Sequence, residues 1–333
     1  MYAEPLPSSP QLRQASVGPG AGRRLQRSVG RASVRFAVRA DGRTGLADLH
    51  QSAPCRCLLP TSEDWPTAVF ATTCGGLTGG DAVRFDFAAG PGAMARATTQ
   101  AAERLYKARL GDAPAQVDSR IVLGEDAKAE WLPQETIVFD GARLQRRTVF
   151  ELAARAELLA CELRILGRAA HGEVFREGFL SDRIEIWREG KLAWLDALRL
   201  GTTHHTSPKA RSAIRGLPGP SSDRGPGSPL CDVRERNDIA RALASPAGFG
   251  GYPAIATVFY AADGAEARLA EARALLEGIP GTTRAAATAL DGLLIARFLA
   301  PDAFTLRQSV TQFVTGFRAH LGRAPVMPRF WSL

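Results

Sequence analysis

Long apolar runs are missing from this 333-residue chain. No stretch approaches the roughly 18 consecutive apolar residues that a membrane-spanning helix needs, and a membrane partner is not expected. Residues 1–30 are rich in Pro, Ser, Gly and Arg but have no continuous apolar segment, so they do not read as a secretory signal. Histidine is scarce: His50, His171, His204, His205 and His320 are all there are, and a histidine-built hydrolytic or metal centre is hard to assemble from them. No Ser–His–Asp arrangement or paired-carboxylate motif stands out either. The cysteines are few and odd in number, Cys55, Cys57, Cys74, Cys161 and Cys231. Without a secretion signal that count argues for reduced thiols rather than a disulfide framework, and a cytoplasmic location is the expectation.

What is present is positive charge, a net +8, and its placement decides what it means. Residues 1–43 carry eight arginines against Glu4 and Asp41, a net +6. Residues 201–250 carry seven basic against four acidic side chains, a net +3, which leaves about −1 for the rest. Charge gathered in a tail and an insert, not on a folded face interleaved with aromatics, does not make a nucleic-acid groove.

The chain divides into a disordered leader over residues 1–30, a β-rich body over 31–200, a flexible insert over 201–235 and an α+β part over 236–333. The insert is densest in Ser, Pro, Gly and Arg between Thr202 and Pro229. In the body, Val34, Phe36 and Val38 alternate with polar residues, as do Val83, Phe85 and Phe87, the period of a half-buried strand. Ala129 and Trp131 repeat the pattern against Lys128 and Glu130. About ten such segments lie between Thr67 and Leu200; residues 100–110 could be helix. Hairpins are expected at Glu189-Gly190, at Asp291-Gly292 and at Asp140-Gly141. Helices are expected over about 264–276 and 303–321. The second has a stripe of Leu306, Val310, Phe313, Val314, Phe317 and Leu321.

The glycines of TTCGGLTGGD (Thr72 to Asp81) have the spacing of a phosphate loop, but Asp81 and Ala82 stand where Lys and Ser or Thr are needed. A tight turn is the better reading, with Asp81 bracing it through backbone hydrogen bonds. Cys55 and Cys57 would share one face of a strand and could serve a soft metal, yet no His follows at ligand spacing, and burial as small hydrophobes is favoured. His204 and His205, with Cys231 later, could capture a metal weakly, but a solvated loop is the favoured reading. Glu130, Glu135, Asp140, Glu173 and Asp182 are expected at strand ends or turns, either solvated or lining a polar path through the β body.

Three blocks, TTCGGLTGGD, TTQAAERLY (Thr98 to Tyr106) and EWLPQETIVFDGARL (Glu130 to Leu144), together resemble the urease accessory proteins of the UreD (UreH) type. In the same order come GLADLHQSAPCRCLLP (Gly45 to Pro60), LGRAAHGE (Leu166 to Glu173), the segment from Phe179 to Leu200 ending DALRL, and PRFW (Pro328 to Trp331). The resemblance implies a mostly β fold, a β-helix-like stack of many short strands with about two helices in the C-terminal third. It implies a scaffold without catalysis or tightly bound cofactor, acting with UreF-type and UreG-type GTPase partners to load nickel into apo-urease. Transient Ni(II) would follow a polar conduit, for which the matching positions are Asp81, Glu135, Asp140, Glu173 and Asp182. Thr72 departs from the Asn common in the family at that place, and the 202–229 insert is foreign to the pattern. The alternative reading is a β-helix hydrolase or carbohydrate-active enzyme, which should show long regular repeats; none is visible in the sequence.

Overall fold

The computed structural model describes residues 26–61, 64–201, 231–232 and 236–331; most of the expected leader and insert, with His204 and His205, lies outside them. In chain order the elements are β1 (Val29–Val38), β2 (Thr44–Gln51), β3 (Cys55–Leu58), β4 (Thr67–Thr72), β5 (Ala82–Ala89), β6 (Met94–Thr99), β7 (Glu103–Leu105), β8 (Ala115–Leu123), β9 (Lys128–Leu132) and β10 (Thr136–Val138). There follow β11 (Arg143–Leu152), β12 (Glu157–Arg168), β13 (Glu173–Val174), β14 (Phe179–Arg188), β15 (Lys191–Leu200), β16 (Cys231–Asp232) and α1 (Arg236–Ala244). The chain closes with β17 (Ala254–Ala261), α2 (Leu269–Glu277), β18 (Arg284–Leu290), β19 (Leu293–Ala300) and α3 (Ala303–His320).

Successive strands alternate between two sheets. One has the order β16-β15-β14-β11-β8-β5-β1-β2, the other β18-β19-β17-β12-β9-β6-β4-β3. Within each, the central strands β5, β8, β11, β14 and β4, β6, β9, β12 run parallel, so the chain winds as a coil that lays one strand on each sheet per turn. A third, short ladder of β7, β10 and the end of β12 closes another side. This is the β-helix-like stack that the resemblance implies.

Local sequence sets each turn of the coil. In β5 the residues Val83, Phe85, Phe87 and Ala89 point inward and are buried, and in β8 Val117, Ile121 and Leu123 do the same, because a strand's side chains alternate between faces. At one corner three turns stack, Gly90 to Ala93, Gly124 to Ala127 and Ala153 to Ala156. Their third residues, Gly92, Asp126 and Arg155, all take left-handed φ (67°, 58° and 54°). Each turn donates to the next: Gly92 N–H to Glu125 O and Asp126 N–H to Ala154 O. Ala93, Ala127 and Ala156 are fully buried beneath them, where a larger side chain would force the turns apart.

The first sheet has one solvated face; the central strands of the second, β12 and β17, are buried on both. The second sheet's inner face meets the core between the sheets, and its outer face carries a second core with Leu159, Cys161, Leu163 and Phe298 under α3. Every stripe residue of α3 except Leu321 is buried, and the helix starts where the Asp302 side chain accepts the Thr305 N–H at 2.8 Å.

Two expected hairpins form as read. Glu189-Gly190 joins β14 to β15, and Asp291-Gly292 joins β18 to β19, with positive φ at all four residues. The third does not. After Asp140-Gly141 the chain leaves β10, in the second sheet's ladder, and enters β11 in the first, so it turns a corner of the coil instead of folding back. Residues 100–110 contain strand β7, not helix, because β10 offers Glu103, Arg104 and Leu105 a parallel partner that outweighs local helix propensity. Helix α1 adds a third helix to the two expected.

Candidate functional site

Charged side chains on inward-facing positions form a buried layer between the sheets. On β11, Arg146 lies between the apolar Leu144 and Phe150. On β14, Asp182 lies between Leu180 and Ile184. On β12, Glu162 and Arg164 lie between Ala160 and Leu166. Arg146 bonds Asp182 (Nε to Oδ1, 3.0 Å), Glu162 (Nη1 to Oε2, 2.9 Å) and the Thr136 hydroxyl (2.9 Å). Arg164 also donates to Asp182. Burial alone would raise the Asp182 pKa, but Arg146 and Arg164 outweigh it and hold the carboxyl well below its usual range. The Trp131 indole and the Thr148 hydroxyl turn toward Glu162 at 3.4 and 3.5 Å.

Beside this layer a cleft of about 200 Å³ opens to solvent, lined by Phe70, Thr72, Gly76, Gln100 and Glu103 among others. Glu103 is unlike the fully buried acids in that no guanidinium among the described residues is bonded to it. It accepts the Thr72 hydroxyl at 3.3 Å and is also bonded by the Arg104 backbone, with Arg146 felt at longer range. Burial raises its pKa to about 7, opposed in part by Thr72 and the Arg104 backbone.

Four of the sequence blocks, those holding Gly75, Tyr106, Phe139 and Glu173, turn out to be levels of one corner. The Tyr106 hydroxyl donates to Gly75 O at 2.9 Å, and the Tyr106 and Phe139 rings meet edge to face at 5.0 Å. The Arg168 guanidinium lies over Phe139 at 4.2 Å and pairs with Glu173 at 2.6 Å. Glu173 in turn accepts the Asp140 N–H at 3.2 Å. Asp140 accepts the N–H groups of Arg176 and Glu177 at 2.7 and 2.8 Å. The Arg168 bond, with the Asp140 amide, holds Glu173 below the usual carboxylate range.

The conduit positions therefore have distinct settings. Asp140 and Glu173 are brought together; Asp182 is apart, inside. Asp81 is buried and accepts from Ser28 N and Thr78 N, both at 2.8 Å, the turn brace expected of it. Glu135 pairs with Arg307 at 3.0 Å, and Arg307 lies over the Trp331 ring of PRFW. Asp182 and Glu130 are not at strand ends or turns, as the sequence reading had them. Both are mid-strand and buried, which is tolerable because each has guanidinium partners. Glu130, on the outer face, is gripped by Arg96, Arg318 (3.0 Å) and Arg323 (3.1 Å), tying the end of α3 to β6 and β9.

Sequence reasoning missed Glu103, Arg146, Glu162 and Arg164. The available signal was charge on the core-facing register of strands that are otherwise apolar, as in ELLACELRILG of β12. Cys55 and Cys57 are buried on one face of β3, and burial raises their thiols to about 12 and about 11, which disfavours the thiolate a metal would need. Among the described residues no group of three or more His, Cys, Asp or Glu is placed to hold a metal ion. No helix among them is long and apolar enough to cross a membrane.

The sequence profile of the UreD urease accessory protein family matches residues 28–219 and 230–332. The chain is similar to the urease accessory protein UreD of Xanthobacter autotrophicus, 40% identical over 92% of this chain and 91% of the relative. It is likewise similar to UreD of Rhizobium leguminosarum bv. trifolii (37%; 94% and 98%) and to UreD 1 of Methylobacterium radiotolerans (38%; 98% and 99%).

Proposed function

This chain belongs to the UreD urease accessory protein family, and from its role in urease maturation we infer that it is a non-catalytic scaffold for metal delivery. In this reading it acts in the cytoplasm with UreF-type and UreG-type GTPase partners, docks on apo-urease, and supports GTP-dependent insertion of nickel while holding Ni(II) only in transit.

The observation that carries the path is Glu103, an acid with no guanidinium bonded to it among the described residues, in a solvent-open cleft one strand from Thr136, whose hydroxyl bonds Arg146 of the buried layer. A carboxylate of this kind attracts a divalent cation, and its neighbours offer too few ligands to trap it. Asp182 and Glu162 deeper in are already paired, so an ion passing them would exchange contacts with Arg146 and Arg164 and would not settle. Asp81, Asp140, Glu173 and Glu135 shape the corner and the C-terminal clasp around the path, and each is engaged by backbone amides or a guanidinium.

The test is urease assembled in cells that lack this gene and are complemented with wild type or Glu103→Gln, its nickel content measured by mass spectrometry. Low nickel without the gene, restored by wild type and restored less by Glu103→Gln, supports the reading. Full nickel loading without the gene sinks it. A parallel pull-down against the urease accessory set tests the partners.

A further inference from the structure

Among the described residues the stack is open at its N-terminal end. β2 is the last strand of its sheet, and no strand pairs with its far side among the described residues. The β1–β2 register shifts between Arg35 and Phe36, skipping Ala47, so that Leu49 faces Val34 and Leu46 faces Phe36. Val34 and Phe36 belong to the core, and cross-strand partners share a face. Both leucines thus stand on the core-facing side, yet Leu46 is 39% and Leu49 36% exposed. Leu59 and Met94, also exposed, share with Leu46 a groove of about 570 Å³ bounded by Trp65, Arg39 and Arg43.

The neighbouring edge is protected more fully than β2, which has only the bulge at Ala47. β3 is only four residues long, and its Cys57 N–H is taken by the Gln51 side chain at 3.0 Å, two of the devices that blunt an edge strand. β2 has eight residues, six of them exposed in a row. An open backbone edge over an uncovered apolar face is the setting in which an extended segment adds as a strand.

Charge selects the occupant. Arg35, Arg39 and Arg43, on β1 and its turn into β2, are exposed and form no ion pair among the described residues. They outnumber Asp41 and Asp48; Asp41 already accepts the Arg43 N–H, and Asp64, the other acid of the groove, is neutralised by Arg96 at 2.7 Å. A second copy of the chain would bring the same basic excess, and residues 1–25 carry Arg13, Arg23 and Arg24 against Glu4. Both are the wrong sign.

We propose that β2 is a docking strand for an extended acidic segment of a partner protein. The segment pairs along Thr44–Gln51, its alternate apolar residues cover Leu46 and Leu49, and its carboxylates meet Arg39 and Arg43. The proposal concerns a surface distinct from the cleft at Glu103 and does not depend on nickel transit.

The full-length chain is titrated with a fluorescent eight-residue peptide alternating Glu and Val, and with its Lys–Val counterpart, while hydrogen exchange maps the contact. Glu–Val should bind at least about tenfold more tightly than Lys–Val, weaken with salt, and protect residues 44–51. Leu46→Lys with Leu49→Lys, and separately Arg39→Glu with Arg43→Glu, should each weaken it about tenfold or more. If the leucine pair perturbs folding, the arginine pair carries the test, since it alters exposed side chains only. Equal binding of the two peptides, protection elsewhere, or wild-type affinity in the arginine variant overturns the proposal. So does protection of residues 44–51 that grows with protein concentration without peptide, which would assign the edge to a second copy.

Discussion

Arg146 and Asp182, on adjacent parallel strands, meet through two bonds, Nε to Oδ1 at 3.0 Å and Nη2 to Oδ2 at 2.5 Å, in a layer closed to solvent. Removing one member of a buried pair leaves the other charge without compensation, which costs about 3–5 kcal/mol. Asp182→Asn is expected to lower stability by that amount in denaturant unfolding. A loss below about 1 kcal/mol would mean that the layer is more hydrated than its burial indicates.

Glu103 gives the chain a pH dependence of unusual sign. Its carboxyl rises from 4.5 to about 7 on folding, so between those values the folded chain keeps a proton that the unfolded chain has released. Its contribution is therefore fully present below pH 4.5, declines as pH rises, and is lost above pH 7. Glu103→Gln removes this slope. Its melting temperature relative to wild type should climb between pH 5 and pH 8, and a constant difference across that range would contradict the burial of this acid.

The glycine turn separates two causes of strain. A Cβ at Gly76 (φ 139°) would meet the Tyr106 ring at 2.6 Å and Arg104 O at 2.8 Å, whereas one at Gly75 (φ 74°) would meet nothing within 4 Å. Gly75→Ala should cost about 1 kcal/mol for its backbone conformation alone. Gly76→Ala should cost more, up to about 3 kcal/mol, and should also change Tyr106 fluorescence. Equal effects would show that the ring yields freely.

Asp302 tests the attachment of α3. Its side chain accepts both the N–H and the hydroxyl of Thr305, at 2.8 and 2.9 Å. Asp302→Ala should cost about 1 kcal/mol, with faster amide exchange confined to the first turn of the helix.

Much of the framework was legible before any coordinates. Alternation gave β1 and β5, acidic-Gly pairs gave the hairpins at Gly190 and Gly292, and a helical stripe gave α3, because each signal is local. Asp81 as turn brace was legible too, since its role is completed by Thr78 three residues away. The coil was legible only through the family resemblance and not from local pattern, because its repeating corner asks only for a left-handed third residue and a small fourth. Gly92, Asp126 and Arg155 meet the first demand with unrelated side chains.

The order of residues thus decided where strands begin and turn, which face of each is apolar, and which family the chain resembles. Only the tertiary structure decided that Arg146, Glu162, Arg164 and Asp182 share one buried layer, that Glu103 has no guanidinium bonded to it among the described residues, and that β2 ends its sheet uncovered. A charged residue on a core-facing position is an error in a strand taken alone and a paired group once parallel neighbours bring its counter-charge across. That pairing is a property of register between distant segments, which no local pattern encodes.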